Sequence, residues 1–350
     1  MYLRNCWYAA AWSNEITREP FARTFLDEPI VMFRKKDGCC VAIEDRCPHR
    51  FAPLHLGKLC GDVIECPYHG LQFDETGKCI KNPHGEGKIP QAAKVKSYPI
   101  IEKYNLIWIW MGKHSNADPA LILALDPISD PKKRALNGYK KIEANYELVI
   151  DNLLDLSHIQ FIHAEYFQTD SLLEAKNDVS EVEGELFSKR WISNTKAPSR
   201  FAQYLDDQDM FVDWWLDGRW SAPSLVYLDV GITQTGKQKE EGLLNEGVHL
   251  LTPENSNSSH YFYSTIRNYR VVDDEVDRQT LEWQRIGFGE QDKPIIEAVQ
   301  KMMKTSDLMS LKPVLLTVDT AALRARRLLK SFIEQEEKEV HKADVSNMEI

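Results

Sequence analysis

A chain of 350 residues with a formal charge of −10 and a pI near 5.6 is long enough for one or two domains with substantial cores. Its 43% apolar and 27% charged content excludes a disordered tail protein and a disulfide miniprotein, and no stretch approaches the ~20 apolar residues of a membrane span. All seven cysteines, Cys6, Cys39, Cys40, Cys47, Cys60, Cys66 and Cys79, fall at the front.

Residues 1–112 read as an all-β domain. Short apolar runs such as Ile30 to Phe33, Val41 to Ile43 and Leu106 to Trp110 alternate with turn signals at Asp37-Gly38, Thr76-Gly77 and Pro83-His84-Gly85. Residues 113–138, with Pro119, Pro127, Pro131 and Gly138 among charges, read as a linker. An α+β domain follows over 139–340. Strand-like stretches at Phe187 to Ile192, Ser224 to Ile232, Val248 to Thr252 and Tyr261 to Arg267 precede helical patterns over roughly 273–304 and 319–340. Residues 341–350 form a tail expected to fray.

The opening residues, with Arg4, Asn5 and three aromatics, do not read as a secretory signal. Together with an odd cysteine count this points to a reducing cytoplasm, where clustered cysteines bind metal more often than they pair. Residues 1–120 hold 16 Lys and Arg against 14 Asp and Glu, and residues 121–350 hold 27 against 39. The acidic rear argues against nucleic acid as a partner.

Cys47-Pro48-His49-Arg50 and Cys66-Pro67-Tyr68-His69-Gly70 give the pattern Cys-x-His, sixteen residues, Cys-x2-His. Each half offers one thiolate and one imidazole. A structural zinc accepts such a set tetrahedrally. A Rieske [2Fe-2S] cluster puts both cysteines on one iron and both histidines on the other, which raises its potential. The spacing and surroundings favour the cluster, because Pro48 and Pro67 lie in two parallel loops and Tyr68 can donate its hydroxyl to a cluster sulfur. The other five cysteines have no spaced histidine and read as small apolar residues, and His55 and His84 read as loop histidines.

The stretch Glu147 to His163 is apolar enough for a buried helix, yet it contains Asp151, Asn152, Asp155, His158 and His163. Burying so many polar groups needs a reason. Two histidines and a carboxylate with open positions are the facial triad of non-haem Fe(II) oxygen chemistry; two satisfied interior histidines are the alternative. His158 and His163 lie ~140° apart at ~100° per residue, so one regular helix cannot aim both at one metal. The helix must break, bulge or end near Phe161. Asp155 and His158 share a face, which lets Asp155 hold one ring N–H of a ligand.

Taken together, Asn152-x2-Asp155-x2-His158-x4-His163 downstream of the cysteine–histidine pattern resembles the α subunit of a Rieske non-haem iron oxygenase, over essentially the whole chain. Arg4 to Trp12, Cys47 to Leu54 and Asp151 to His158 are similar to the aromatic O-demethylase branch, which contains vanillate O-demethylase, dicamba monooxygenase and toluenesulfonate methyl-monooxygenase. The resemblance implies an N-terminal Rieske domain and a catalytic domain with an antiparallel sheet flanked by helices, of helix-grip or START-like type. It implies two cofactors, a [2Fe-2S] cluster on Cys47, His49, Cys66 and His69 and a mononuclear Fe(II) on His158, His163 and a carboxylate at the head of a later helix. Asp292 matches that position, although an Asp two residues before Pro294 is also what a plain N-cap looks like. Asp319 is its rival and looks like a cap.

Asn152 and Asp155 occupy the family's catalytic positions, Asp155 bridging toward a neighbouring subunit's cluster domain in a head-to-tail homotrimer. His249 and Trp283 match substrate-pocket positions, while Leu228 departs from the amide expected there. Trp214, Trp215 and Trp220 in the aromatic stretch Phe201 to Trp220 read as pocket lining or core. Gly85-Glu86-Gly87 has no following helix and is not a nucleotide fingerprint. NAD(P)H electrons are therefore expected through a separate flavin and iron–sulfur reductase, with or without a ferredoxin. The expected reaction is O2-dependent hydroxylation of a methyl or methoxy group on a small aromatic acid, releasing formaldehyde from methoxy substrates. Ring cis-dihydroxylation and N-demethylation are the alternatives within enzymes, and an electron-transfer Rieske protein is the alternative outside them.

Overall fold

The computed structural model describes residues 2–167 and 170–348. The chain divides into two compact units, one built from Tyr2–Ala124 with Thr252–Asn255, the other from Leu125–Leu251 with the rest of the chain from Ser256 onward.

The front unit is all β apart from short 3-10 turns. Its strands are β1 (Trp7–Trp12), β2 (Phe21–Phe25), β3 (Glu28–Arg34), β4 (Cys40–Glu44), β5 (Lys58–Cys60), β6 (Val63–Glu65), β7 (Gln72–Phe73), β8 (Cys79–Lys81), β9 (Ile100–Lys103) and β10 (Leu106–Trp110). They form three antiparallel sheets, β1-β10-β9, β2-β3-β4 and β5-β6-β7-β8. The two faces of β3 feed separate cores. Ile30 and Met32 pack with Tyr8, Phe25 and Ile107; Val31 and Phe33 pack with Leu54, Ile64, Phe73, Cys47 and Cys66. This period-two division fixes the base of the cysteine loops. The seven cysteines are all free thiols.

The rear unit is a seven-stranded sheet in the order β11-β17-β16-β15-β14-β13-β12. Its strands are β11 (Arg134–Ile142), β12 (Asn177–Val182), β13 (Glu185–Lys196), β14 (Phe211–Ser221), β15 (Leu225–Gln234), β16 (Leu243–Asn255) and β17 (Ser258–Arg267). The segment read as a linker ends inside this sheet, since Arg134 to Gly138 open β11 and pair with β17. The aromatic stretch begins in a short helix with Phe201 and ends in β14, an inner strand, where Trp214, Trp215 and Trp220 are fully buried. They belong to the core.

The helices are α1 (Tyr146–Leu154), α2 (Ile159–Ile162), α3 (Ala164–Phe167), α4 (Asp170–Glu174), α5 (Ser199–Ala202), α6 (Asp274–Gln284), α7 (Lys293–Met303) and α8 (Thr320–Met348). Helix α8 runs beyond the expected end at residue 340, so the first part of the expected tail is helical. Arg326 of α8 grips α1 with two bonds of 2.7 Å, to Asp151 and to Glu147. Asp151, one of the ionisable groups that looked misplaced in an apolar helix, thus faces this guanidinium together with Glu147.

Candidate metal centres and substrate pocket

Two loops of the front unit share one backbone pattern. Cys47 N donates to Ala52 O at 2.9 Å and Phe51 N to Cys47 O at 2.9 Å; Cys66 N donates to Leu71 O at 2.8 Å and Gly70 N to Cys66 O at 3.0 Å. The turns close through left-handed residues at matching places, Phe51 with φ 59° and Gly70 with φ 71°. Both cysteines are buried at the loop bases, while His49 is exposed and His69 partly so. The imidazole centroids lie 4.5 Å apart. The loops therefore hold two buried sulfurs at their bases and two imidazole rings nearer the surface.

The donor set fits a Rieske cluster. Burial, with Cys66 alongside, pushes the Cys47 thiol up to about 11, so a pair of thiolates here needs a cation, which ferric iron provides. Nδ1 of His69 is buried without a hydrogen-bond partner among the described residues. Such an orphan calls for a ligand. Tyr68 is 64% exposed, with its ring centroid 4.0 Å from that of His69; its hydroxyl makes no hydrogen bond among the described residues. Two histidines outside the motif also join this region. His84 Nε2 meets the His69 carbonyl at 2.8 Å, and His55 Nδ1 bonds the buried Asp45 carboxylate.

In the rear unit the expected helix 147–163 is broken twice. Helix α1 stops at Leu154, Asp155 takes φ −105° and ψ 88°, and a 3-10 turn over Leu156–His158 follows. The short α2 then ends at His163, φ −112° and ψ 32°. The first break falls earlier than Phe161, the second just after it. Asp155 caps the 3-10 turn, its carboxylate accepting from Ser157 N at 2.9 Å. Its backbone carbonyl, not its carboxylate, takes His158 Nδ1 at 2.5 Å.

Asp292 closes the site. A π-helical segment, Arg285–Asp292, joins α6 to α7. Asp292 keeps helical angles, φ −69° and ψ −53°, and makes no side-chain cap bond, so the N-cap reading fails. Its Oδ2 lies 3.2 Å from His163 Nε2 and its Oδ1 3.5 Å from His158 Nε2. Ligand atoms of His158, His163 and Asp292 all lie within 4.8 Å of one another. Asp319 instead accepts from Leu316 N at 2.6 Å, as a cap does.

The outer nitrogens show why both rings face inward. His163 Nδ1 bonds Gln291 Oε1 at 2.7 Å, and His158 Nδ1 bonds the Asp155 carbonyl. Both acceptors require the proton on Nδ1, which leaves the two Nε2 lone pairs beside Asp292. Asn152 Nδ2 donates to Asp292 Oδ1 at 3.3 Å. Burial lowers the pKa of His158 despite the neighbouring carboxylate, which keeps it available as a neutral ligand. Two neutral imidazoles and one carboxylate on one side of a pocket fit an open-site ferrous ion. Gln291 was not singled out in the sequence, where only its place beside Asp292 could have suggested it.

The pocket beside this trio is lined by Leu216, Leu228 and Val230 of the sheet and by Phe167, Trp283 and Phe288. Trp283 stands edge-on to His163, centroids 5.0 Å apart, and the Arg200 guanidinium lies 5.2 Å from the Trp283 ring centroid. His249 also lines the pocket. Its Nδ1 is 2.7 Å from the Tyr261 hydroxyl, and burial drives its pKa down to about 3, only partly opposed by Asp292.

A family model described as the vanillate O-demethylase oxygenase C-terminal domain matches residues 142–335, and one described as the Rieske [2Fe-2S] domain matches residues 6–99. The chain is 37% identical over 331 residues to the oxygenase component of dicamba O-demethylase from Stenotrophomonas maltophilia, covering 95% of this chain and 98% of that one. It is 38% identical to the oxygenase component of chloroacetanilide N-alkylformylase from Rhizorhabdus wittichii, covering 96% and 97%. The crystal structure of dicamba monooxygenase bound to 3,6-dichlorosalicylic acid superposes with a TM-score of 0.91 at 36% identity, covering 96% of this chain and 99% of that one. A carrier of electrons alone has no need of the second half, which matches an oxygenase domain. With both domains matched across nearly its full length, the chain belongs to the Rieske non-haem iron oxygenases, as an oxygenase component that uses a [2Fe-2S] cluster and a mononuclear iron.

Proposed function

We propose that this oxygenase hydroxylates the methyl or methoxy carbon of a small aromatic acid, so that a methoxy substrate collapses through its hemiacetal to a phenol and formaldehyde. The observation that carries this reading is the juxtaposition of two inward Nε2 atoms and Asp292 with an apolar pocket that holds a neutral histidine. His158, His163 and Asp292 hold the iron, and Cys47, His49, Cys66 and His69 hold the cluster. When bound, the two groups together supply reductive activation of O2, one oxygen atom going to the substrate carbon and the other to water.

The chain's own residues do the positioning. Gln291 and the Asp155 carbonyl fix the ring planes of the two histidines, and such outer partners govern how well a metal is held. Asn152 steadies the Asp292 carboxylate. Trp283 and Phe288 form an aromatic wall that orients a flat ring and excludes water, and His249 meets the acid group of the substrate.

The electron donor is a separate NAD(P)H-dependent reductase bearing flavin and an iron–sulfur centre, with or without a ferredoxin, since the sequence carries no Gly-x-Gly-x-x-Gly. The working form is a cytoplasmic homotrimer closed by a head-to-tail interface, in which Asp155 meets a neighbouring subunit's cluster domain. No helix among the described residues is long and apolar enough to cross a membrane.

A screen of methoxylated, methylated and sulfonated benzoates with a generic reductase tests this. Formaldehyde in step with a phenol is the expected result for methoxybenzoates. A cis-diol with no formaldehyde from any methylated substrate would sink it. The relative named for N-alkylformylase activity favours a second reading, oxidation at an N-alkyl carbon, which N-alkylanilides in the same screen would reveal.

A further inference from the structure

Strands β15 and β16 pair so that Val226, Leu228 and Val230 stand opposite His249, Gly247 and Asn245. Cross-strand partners share a face, and of these six all but Val226 line the pocket. Leu228 and Val230 offer no polar atom there. Asn245 does, and its carboxamide makes no hydrogen bond among the described residues.

The histidine does not stand straight out from the sheet. A Cβ added at Gly247 would fall 2.4 Å from His249 Nε2, so the imidazole leans back along the strand over residue 247, toward Asn245. Alternate residues on one face of a strand are only about 7 Å apart. The ring nitrogen thus lies over residue 247, whose next neighbour on that face is Asn245 of the same pocket, within the reach of a group with two oxygens.

The proton position follows from burial. The Tyr261 hydroxyl is buried, and His249 Nδ1 is its one hydrogen-bond partner among the described residues. It satisfies its proton by donating to Nδ1, which leaves the histidine's own proton on Nε2. Nε2–H and the Asn245 Nδ2–H2 group are then two uncharged donors of one strand face, with only a glycine between their residues on that face.

We infer that Asn245 is a specificity-determining residue, clasping with His249 Nε2–H a two-oxygen acceptor, carboxylate or sulfonate, on the aromatic substrate over the space that Gly247 leaves. The assignment rests on the demethylase reading above and names its acid-binding end. Asn245 on β16 supplies the polar contact that Leu228 on β15 cannot.

The test uses the holoenzyme with its reductase and three probes, 3-methoxybenzoate, 3-methoxybenzenesulfonate and anisole, which lacks the acid. Asn245→Leu is expected to lower the acid-to-anisole ratio of kcat/KM at least about tenfold, mainly through KM for the acid, since a hydrogen bond to an ionised oxygen is lost. The cluster spectrum and iron content stay as in the wild type. Returning an amide from the opposite strand, in Asn245→Leu/Leu228→Asn, recovers part of the ratio. Gly247→Ala, which displaces the imidazole, lowers it as Asn245→Leu does. The benzoate and sulfonate arms report which acid the clasp prefers. An unchanged ratio in Asn245→Leu, or a wild type that demethylates anisole as well as either acid, overturns the clasp and leaves demethylation standing. Absence of formaldehyde from all three probes with wild type overturns the demethylase reading, and the clasp with it.

Discussion

The two halves of this chain gather metal-binding side chains in opposite ways. At the front the four candidate ligands come from two neighbouring loops of the same backbone pattern, and the histidines point outward. At the rear His163 and Asp292 are buried and 129 residues apart, with His158 half-buried beside them. Local hydrogen bonds suffice to shape the first arrangement. The second exists only when α2 and the π-helical segment pack together, so it depends on the whole rear fold.

That contrast predicts separable failures. Asp292→Ala is expected to abolish turnover, by at least ~10³-fold, while the visible spectrum of the cluster persists and iron content falls by one atom per chain. Cys66→Ser should bleach the cluster and leave the rear iron in place. Loss of both centres in either variant would show that the two halves are not independent. The next largest effect is on stability. Arg326→Leu leaves Asp151 and Glu147 facing each other without their cation, and breaking such a pair costs about 3 kcal/mol. Urea unfolding should show the loss in the rear transition only.

A smaller effect sharpens the comparison at a single atom. Gln291→Leu removes the acceptor for His163 Nδ1, freeing the ring to rotate or change tautomer. Iron affinity should fall about 10- to 100-fold, read by titrating Fe(II) into the metal-stripped enzyme. A front-loop counterpart, His84→Leu, removes only a bond to the His69 carbonyl and should leave cluster content unchanged.

The front was legible because its chemistry is written locally, two Cys-Pro loops with histidines at fixed offsets. The rear was half legible. The angle between His158 and His163 required a break in the helix, but nothing in the periodicity marked Asp155 as the first breaking point. At Asp292 the local signal was misleading, because Pro294 and an apolar helix make an N-cap pattern. What turns the carboxylate inward is the π-helical winding of Arg285–Asp292, whose cause is tertiary. Strand β14 escaped notice because both its faces are buried, so Trp214 and Trp215 erase the alternation that would mark a strand.

The smallest expected effect concerns pH, and it turns on His249 in the rear pocket. Burial holds His249 neutral, with its pKa lowered to about 3 from 6.5. The unfolded chain takes up a proton near pH 6.5, whereas the folded chain does not until well below pH 5. Neutrality of this ring therefore contributes no penalty above pH 7, and stability falls as pH drops from about 6.5 toward 3. Between pH 7.5 and 5 this one group costs the folded state about 2 kcal/mol. His249→Gln removes the titration, so its unfolding free energy should decline less than that of the wild type over the same interval by about that amount. The comparison uses the difference between two pH values for each protein, which cancels whatever Gln loses in packing against Tyr261 and Phe288. Equal declines in the two proteins would mean that the ring is hydrated or charged in the folded state, and the pocket would then present a cation to its substrate instead of a neutral donor.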